Sequence, residues 1–267
     1  MAAFLHWLFL LGLGTGLGPL PFSTESVTYF QDKGVTLEAD IVRPRNENVY
    51  PIVFMVHGGS WGGRHRGDMS KLAELLASHG FVVMNISYRF APAHRYPAQI
   101  EDVNHAVEWM KANASKYRGD VNRLAGWGYS AGGHIITQWA LLESEKLKAP
   151  VLKAIVAGGA PFDLSWYPQS PIITHLLDGY LPSRRKEYKE ASPITHIGPW
   201  APPMYFYHGR TDTLVEAVQS SNMQYRLLEH GVESELHVVE FWGHVNTFLF
   251  ARRAVDGGIA FLKKKLN

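Results

Sequence analysis

Leu124-Ala125-Gly126-Trp127-Gly128-Tyr129-Ser130-Ala131-Gly132-Gly133-His134 decides how the rest of the chain is read. It holds Gly128-x-Ser130-x-Gly132 between an apolar run and a helix-compatible run from Ile135 to Glu143. A tight strand-to-helix turn of this kind holds a serine at the tip of a sheet, exposed, aimed and conformationally strained. Flanking glycines keep the crowded turn free of side-chain clashes. The helix that follows offers its N-terminal N–H groups to developing negative charge. The competing reading is a Gly-rich turn capped by Ser130, because a G-x-S-x-G string also arises by chance. What the flanking sequence places around Ser130 decides between the two.

Working outward, Pro51 to Val56 is a continuous apolar run suited to a strand buried on both faces. It ends in His57-Gly58-Gly59-Ser60-Trp61-Gly62-Gly63, a loop with little side chain. Met69 to His79 has helical spacing, Phe81 to Ile86 is a second buried-type strand, and Ile100 to Met110 carries a helical stripe. Earlier still, Ser26–Asp32 and Val35–Arg43 flank Lys33-Gly34 as a hairpin. Downstream, Val151 to Val156 reads as a strand running into Gly158-Gly159. Residues 162–200 contain prolines at 168, 171, 182, 193 and 199 and read as an irregular insertion at one end of the sheet. Met204–Tyr207 and Glu235–Phe241 are strands; Leu214–Leu228 and Val245–Leu262 are helices. Strands alternating with helices specify an α/β fold. Its sheet is mainly parallel, of about eight strands, with helices on both faces and an N-terminal antiparallel hairpin. Residues 26–267 form one domain.

Composition agrees. With 46% hydrophobic and 19% charged residues over 267 positions, the chain has ample core for one large α/β domain. A formal net charge of +2, with no basic stripe among aromatics, gives no ground for a nucleic-acid partner. Cysteine is absent, which excludes disulfides, thiol catalysis and zinc–cysteine sites. Residues 1–25 stand apart. Phe4 to Leu17 is apolar and Gly-rich, the length of a signal-peptide h-region and short for a membrane span. No Lys or Arg precedes it and no clean A-x-A follows. Read as an export signal it places the protein in a secreted or periplasmic location; packed intact on the domain, it leaves the protein cytoplasmic. No stable membrane insertion is expected of the chain.

A serine nucleophile needs a base, a group to orient that base, and donors for an oxyanion. Each has a candidate at a strand end. His244 follows the last strand and can take a proton near neutral pH. Asp212 follows the penultimate strand and can fix one tautomer of His244. The order Ser130, Asp212, His244 is the one expected for an elbow on this kind of sheet. Backbone N–H groups of Gly59, Ser60 and Ala131 are the oxyanion-hole candidates. Alternatives stay open at this stage. Asp212 would also serve as a helix N-cap, Asp163 is a rival acid, and His208 and His237 are rival bases among 13 histidines. No metal or cofactor is required by this chemistry.

From about Val53 to Phe248 the chain resembles the α/β-hydrolase superfamily. Within it, the similarity is to small bacterial esterases of the hormone-sensitive-lipase-like and feruloyl/acetyl-xylan-esterase groups. HGGSW (57–61), SYRFAPAHRYPAQIEDV (87–103), GWGYSAGGH (126–134), HGRTD (208–212) and WGH (242–244) carry the resemblance. It implies Ser130 as nucleophile, Asp212 as acid and His244 as base. Ser60 stands where the family pattern has a third glycine. Tyr129 stands where hormone-sensitive-lipase-like esterases usually have Asp, which points away from that branch and toward the xylan-side-chain group. The implied activity is hydrolysis of short-chain or aromatic acyl esters through an acyl-enzyme, with acetyl or feruloyl groups on plant polysaccharide as candidate substrates. Trp61 and Tyr129 are the substrate-pocket candidates. Trp61, Trp127, Trp166, Trp200 and Trp242 read first as core filling and anchors of the insertion, with an aromatic platform for a sugar or feruloyl ring as the alternative. An arylformamidase-like hydrolase of a formyl amide and a non-catalytic binding protein on the same fold are the alternatives. The oligomeric state is not legible.

Overall fold

Alternation along β3 (Tyr50–Val56) explains why the sheet is covered on both faces. Ile52, Phe54 and Val56 enter one hydrophobic cluster, and Val53 and Met55 enter another on the opposite face. The same alternation runs along β6 (Ala154–Gly158), with Ile155 and Ala157 on one face and Ala154 and Val156 on the other. Period-two side chains that are all apolar leave neither face for water. The computed structural model describes residues 19–267.

The eight strands lie in one sheet in the order β1-β2-β4-β3-β5-β6-β7-β8. β1 (Phe22–Asp32) and β2 (Val35–Pro44) form the antiparallel hairpin, and β2 is also antiparallel to β4 (Val82–Ile86). β5 (Gly119–Tyr129), β7 (Met204–Gly209) and β8 (Ser234–Val239) complete a run parallel to β3, β4 and β6. On one face pack α2 (Ala98–Asn113), α3 (Ala131–Leu147) and α6 (Val218–Glu229). On the other pack α1 (Ser70–Ser78) and α8 (Arg252–Leu266). The carboxyl ends of β3, β5, β7 and β8 therefore share one edge of the sheet.

Several boundaries differ from the sequence expectation, each for a physical reason. β1 starts at Phe22, inside the 1–25 segment, because Phe22 pairs with Pro44. The apolar run Phe4–Leu17 lies outside the described residues. α3 starts at Ala131, not Ile135, because Gly132 and Gly133 are helical where α3 presses on the sheet. A Cβ on Gly132 would sit 2.1 Å from the Val56 carbonyl oxygen. That close approach overrides the helix penalty of glycine, about 1 kcal/mol. The strand expected at Val151–Val156 is shifted to Ala154–Gly158, where it pairs with β5; Leu152 instead fills the core.

The 162–200 insertion is not irregular. It contains α4 (Pro171–Leu177), α5 (Arg185–Glu190) and three single 3₁₀ turns, and Pro171, Pro182 and Pro193 sit in first turns. There the missing N–H costs nothing, so these prolines start helices instead of breaking them. The last expected helix is two, α7 (His244–Phe250) and α8, broken at Ala251 (ψ 52°). Among the described residues no helix is long and apolar enough to cross a membrane.

Candidate active site

Ser130 lies between β5 and α3 with φ 54° and ψ −127°. A left-handed φ of this kind is costly for a residue with a Cβ and persists only where surroundings enforce it. Two backbone bonds do so. Ser130 N–H donates to the Gly158 carbonyl at 2.8 Å, and the Ser130 carbonyl accepts from His134 N–H at 3.1 Å. Gly128 is equally constrained, since a Cβ there would lie 2.4 Å from Gly132 backbone atoms. The Ser130 N–H is thus engaged below the turn, whereas the N–H of Ala131, first in α3, has no intrahelical partner.

Asp212 leaves the end of β7 and His244 opens α7 after β8. His244 Nδ1 lies 2.7 Å from Asp212 Oδ2, which fixes Nδ1–H as the donor and leaves Nε2 for the cavity side. Asp212 Oδ1 accepts from the N–H groups of Leu214 and Val215, at 2.9 and 3.0 Å. That turn delays α6 to Val218, so Asp212 caps a loop and not the helix. Burial raises the Asp212 carboxyl pKa. The hydrogen bonds from His208, His244 and Val215 outweigh that and hold it well below the usual range, so it stays ionised. Tyr129, wedged among Tyr207, Phe248 and the His244 ring, donates its hydroxyl to the His244 carbonyl at 2.6 Å.

The loop after β3 runs beside Ser130. Gly59 has φ 119°, Ser60 φ 54° and Trp61 φ 58°, and a Gly62 N–H to Gly59 carbonyl bond closes the turn. Ser60 thus keeps the left-handed backbone that glycine would adopt more readily. Among the described residues the N–H groups of Gly59 and Ser60 have no hydrogen-bond acceptor. Two buried histidines brace the loop. His57 stacks on Tyr88 at 4.5 Å and bonds the Gly58 carbonyl through Nδ1 at 2.7 Å. His134 accepts from the Trp61 indole N–H at 3.0 Å and donates through Nε2 to the Ala191 carbonyl at 2.7 Å. Burial lowers both imidazoles to about 4, which keeps them neutral. The His134 tie was legible only as the last letter of GWGYSAGGH.

Ser130 borders two cavities. One, of about 310 Å³, also touches Gly59, Ser60, Tyr129, His244 and Leu249. The other, of about 80 Å³, is walled by Trp61, Ala131, Tyr167, Ile172 and Ile173. Trp61 and Tyr129 thus fall in different cavities. Trp127 is wholly buried and Trp61 nearly so, while Trp166 is half exposed, so these tryptophans form no continuous surface platform. Asp163 caps its own turn, accepting from Ser165, and does not meet a histidine. His237 sits within β8 opposite Tyr207.

His208 is a different matter. Its Nε2 lies 3.4 Å from Asp212 Oδ2 and 2.7 Å from the Val215 carbonyl, while its Nδ1 lies 2.8 Å from Ser220 Oγ. A second serine–histidine–aspartate array therefore shares Asp212. Its serine and histidine are both fully buried.

A serine in a strained strand-to-helix turn after β5, an aspartate after β7 and a histidine after β8 on this sheet define the α/β-hydrolase fold. The chain belongs to the BD-FAE family, whose pattern matches residues 39–227. It is 31% identical over 226 residues to the probable carboxylic ester hydrolase LipM of Mycobacterium tuberculosis, covering 79% of this chain and 52% of LipM. The chain spans about half the length of the curated relatives it matches. The fold is shared with a bifunctional GH43-CE protein of Bacteroides eggerthii (TM-score 0.80, 22% identity, 92% of this chain and 38% of that one). It is also shared with a butyrate-bound esterase, Est2, of Thermogutta terrifontis (TM-score 0.77, 21% identity, 90% and 94%).

Proposed function

We propose that the protein is a serine carboxylic ester hydrolase that works through an acyl-enzyme. The observation that carries this reading is the 2.7 Å His244–Asp212 bond beside a left-handed Ser130 that shares a cavity with His244. Ser130 Oγ attacks the ester carbonyl while His244 Nε2 takes its proton, and ionised Asp212 stabilises the imidazolium. The N–H groups of Gly59, Ser60 and Ala131 receive the oxyanion. Losing one such donor typically costs about a hundred- to a thousandfold in turnover. His244 returns the proton to the departing alcohol, and water then releases the acid by the same route reversed.

Family membership and the esterase names of the relatives support ester substrates in general. The finer reading is a short acyl group, with acetyl esters of polysaccharide as the first candidate. It is tested by comparing kcat/KM on 4-nitrophenyl acetate, acetylated xylan, methyl ferulate and N-formylkynurenine, with Ser130→Ala as control. Ester turnover that vanishes in Ser130→Ala is the expected result. A preference for N-formylkynurenine over every ester would overturn the ester reading.

A further inference from the structure

The two cavities at Ser130 are told apart by the direction of proton transfer, an argument that rests on the roles of Ser130 and His244 proposed above. In the tetrahedral intermediate the former carbonyl carbon carries Ser130 Oγ, the oxyanion, the departing alkoxide and the acyl chain. The oxyanion lies against the free N–H groups of the β3 loop and Ala131. The alkoxide must lie within reach of His244, which gives it a proton. The 310 Å³ cavity that His244, Phe248 and Leu249 border is therefore the alcohol side. The acyl chain takes the remaining direction, into the 80 Å³ cavity that His244 does not touch. We propose that this small cavity is the acyl pocket. Tyr167, Ile172 and Ile173, all from the 162–200 insertion, then set the limit on acyl length.

The size decides the class of acyl group. At about 80 Å³ it is the smaller of the two cavities at Ser130, against about 310 Å³ on the His244 side, and both open to solvent. That smaller space favours acetyl to butyryl chains over a feruloyl ring. Hydrogen bonds to α6 and the loop before it brace the start of the insertion beside this cavity. Gln219, buried on α6, accepts the N–H groups of Phe162 and Asp163 at 3.0 and 2.8 Å and donates to the Asp163 carbonyl at 3.1 Å. The Tyr167 hydroxyl reaches Glu216 at 2.8 Å. With the smaller space on the acyl side, the bulk of the substrate belongs to the alcohol, on the larger side. That side carries the Arg64–Asp68 ion pair at 3.0 Å. The substrate class is a short aliphatic acyl ester of a bulky alcohol.

The test measures kcat/KM on 4-nitrophenyl acetate, butyrate and octanoate for the wild type, Ile172→Ala, Ile173→Ala and Leu249→Ala. Each isoleucine variant is expected to raise the octanoate-to-acetate ratio by about tenfold or more, the scale of a few methylenes in an apolar pocket. Leu249→Ala is expected to leave that ratio within about twofold. Ile172 is 37% exposed, so its variant remains informative if Ile173→Ala misfolds. A ratio that moves with Leu249→Ala and not with the isoleucines would put the acyl chain on the His244 side and overturn the assignment. Ser130→Ala separates the two claims. If it retains turnover, the nucleophile reading has failed. If it is inert while the isoleucine variants keep the wild-type ratio, only the pocket assignment has failed.

Discussion

Asp212 serves two histidines, and the serines beyond them sit in opposite surroundings. Ser220 is fully buried on α6, and its hydroxyl is already spent on His208 at 2.8 Å. The other nitrogen of His208 is occupied by the Val215 carbonyl, which makes Nε2–H the donor and Nδ1 the acceptor. Neither side chain has any exposed surface for a substrate to reach. Ser130 has the contrary set: a strained turn, cavities on two sides and unbonded N–H groups nearby. Residue types and spacing do not make a nucleophile; access and oriented donors do. The buried array has a separate use, because the His208 hydrogen bond helps hold Asp212 ionised and aimed at His244.

The contrast predicts a graded set of effects. Ser130→Ala should lower kcat on a 4-nitrophenyl ester by more than about a thousandfold, as nucleophile removal does elsewhere. Asp212→Asn should follow, at about 10³- to 10⁴-fold, since the amide stabilises neither the needed tautomer nor the imidazolium. His134→Ala acts through Trp61 on the oxyanion loop and should cost up to about a hundredfold in kcat, the scale of an ångström of misplacement. Ser220→Ala should leave turnover within a few-fold. It should also lower unfolding stability in urea by about 1–3 kcal/mol, because His208 Nδ1 loses its buried donor.

Stability should also depend on pH through the two bracing histidines. Burial holds His57 and His134 at about 4 in the folded chain, against an ordinary value of 6.5. Between those values the unfolded chain binds protons that the folded chain refuses, so stability is intact above pH 6.5 and falls as pH drops toward 4. At about 1.4 kcal/mol per pH unit the loss is on the order of 3 kcal/mol per histidine. Urea titrations at pH 7 and pH 5 should show the fall, and His134→Ala should show less of it.

The sheet, its hairpin and the convergence of 57–61, 130, 212 and 244 at one edge were legible in the sequence. Apolar alternation, strand length and a Gly-rich turn are local signals. The insertion was not legible, because a proline at a helix start and a proline in a loop look alike without the following hydrogen bonds. The break between α7 and α8 was hidden because the apolar period runs through Ala251. The ties made by His134 to Ala191 and by Gln219 to Phe162 and Asp163 span more than fifty residues. No local pattern encodes such partners. His208 was visible beside the acid, but its second bond, to Ser220, was not.

The most direct test of the account is covalent. The folded protein is treated with a fluorophosphonate ester until hydrolysis stops, then digested, and the adduct is located by mass spectrometry. One phosphonyl group per chain is expected, on Ser130, and none on the buried Ser220. An adduct on Ser220, or full inactivation with Ser130 unmodified, would contradict it.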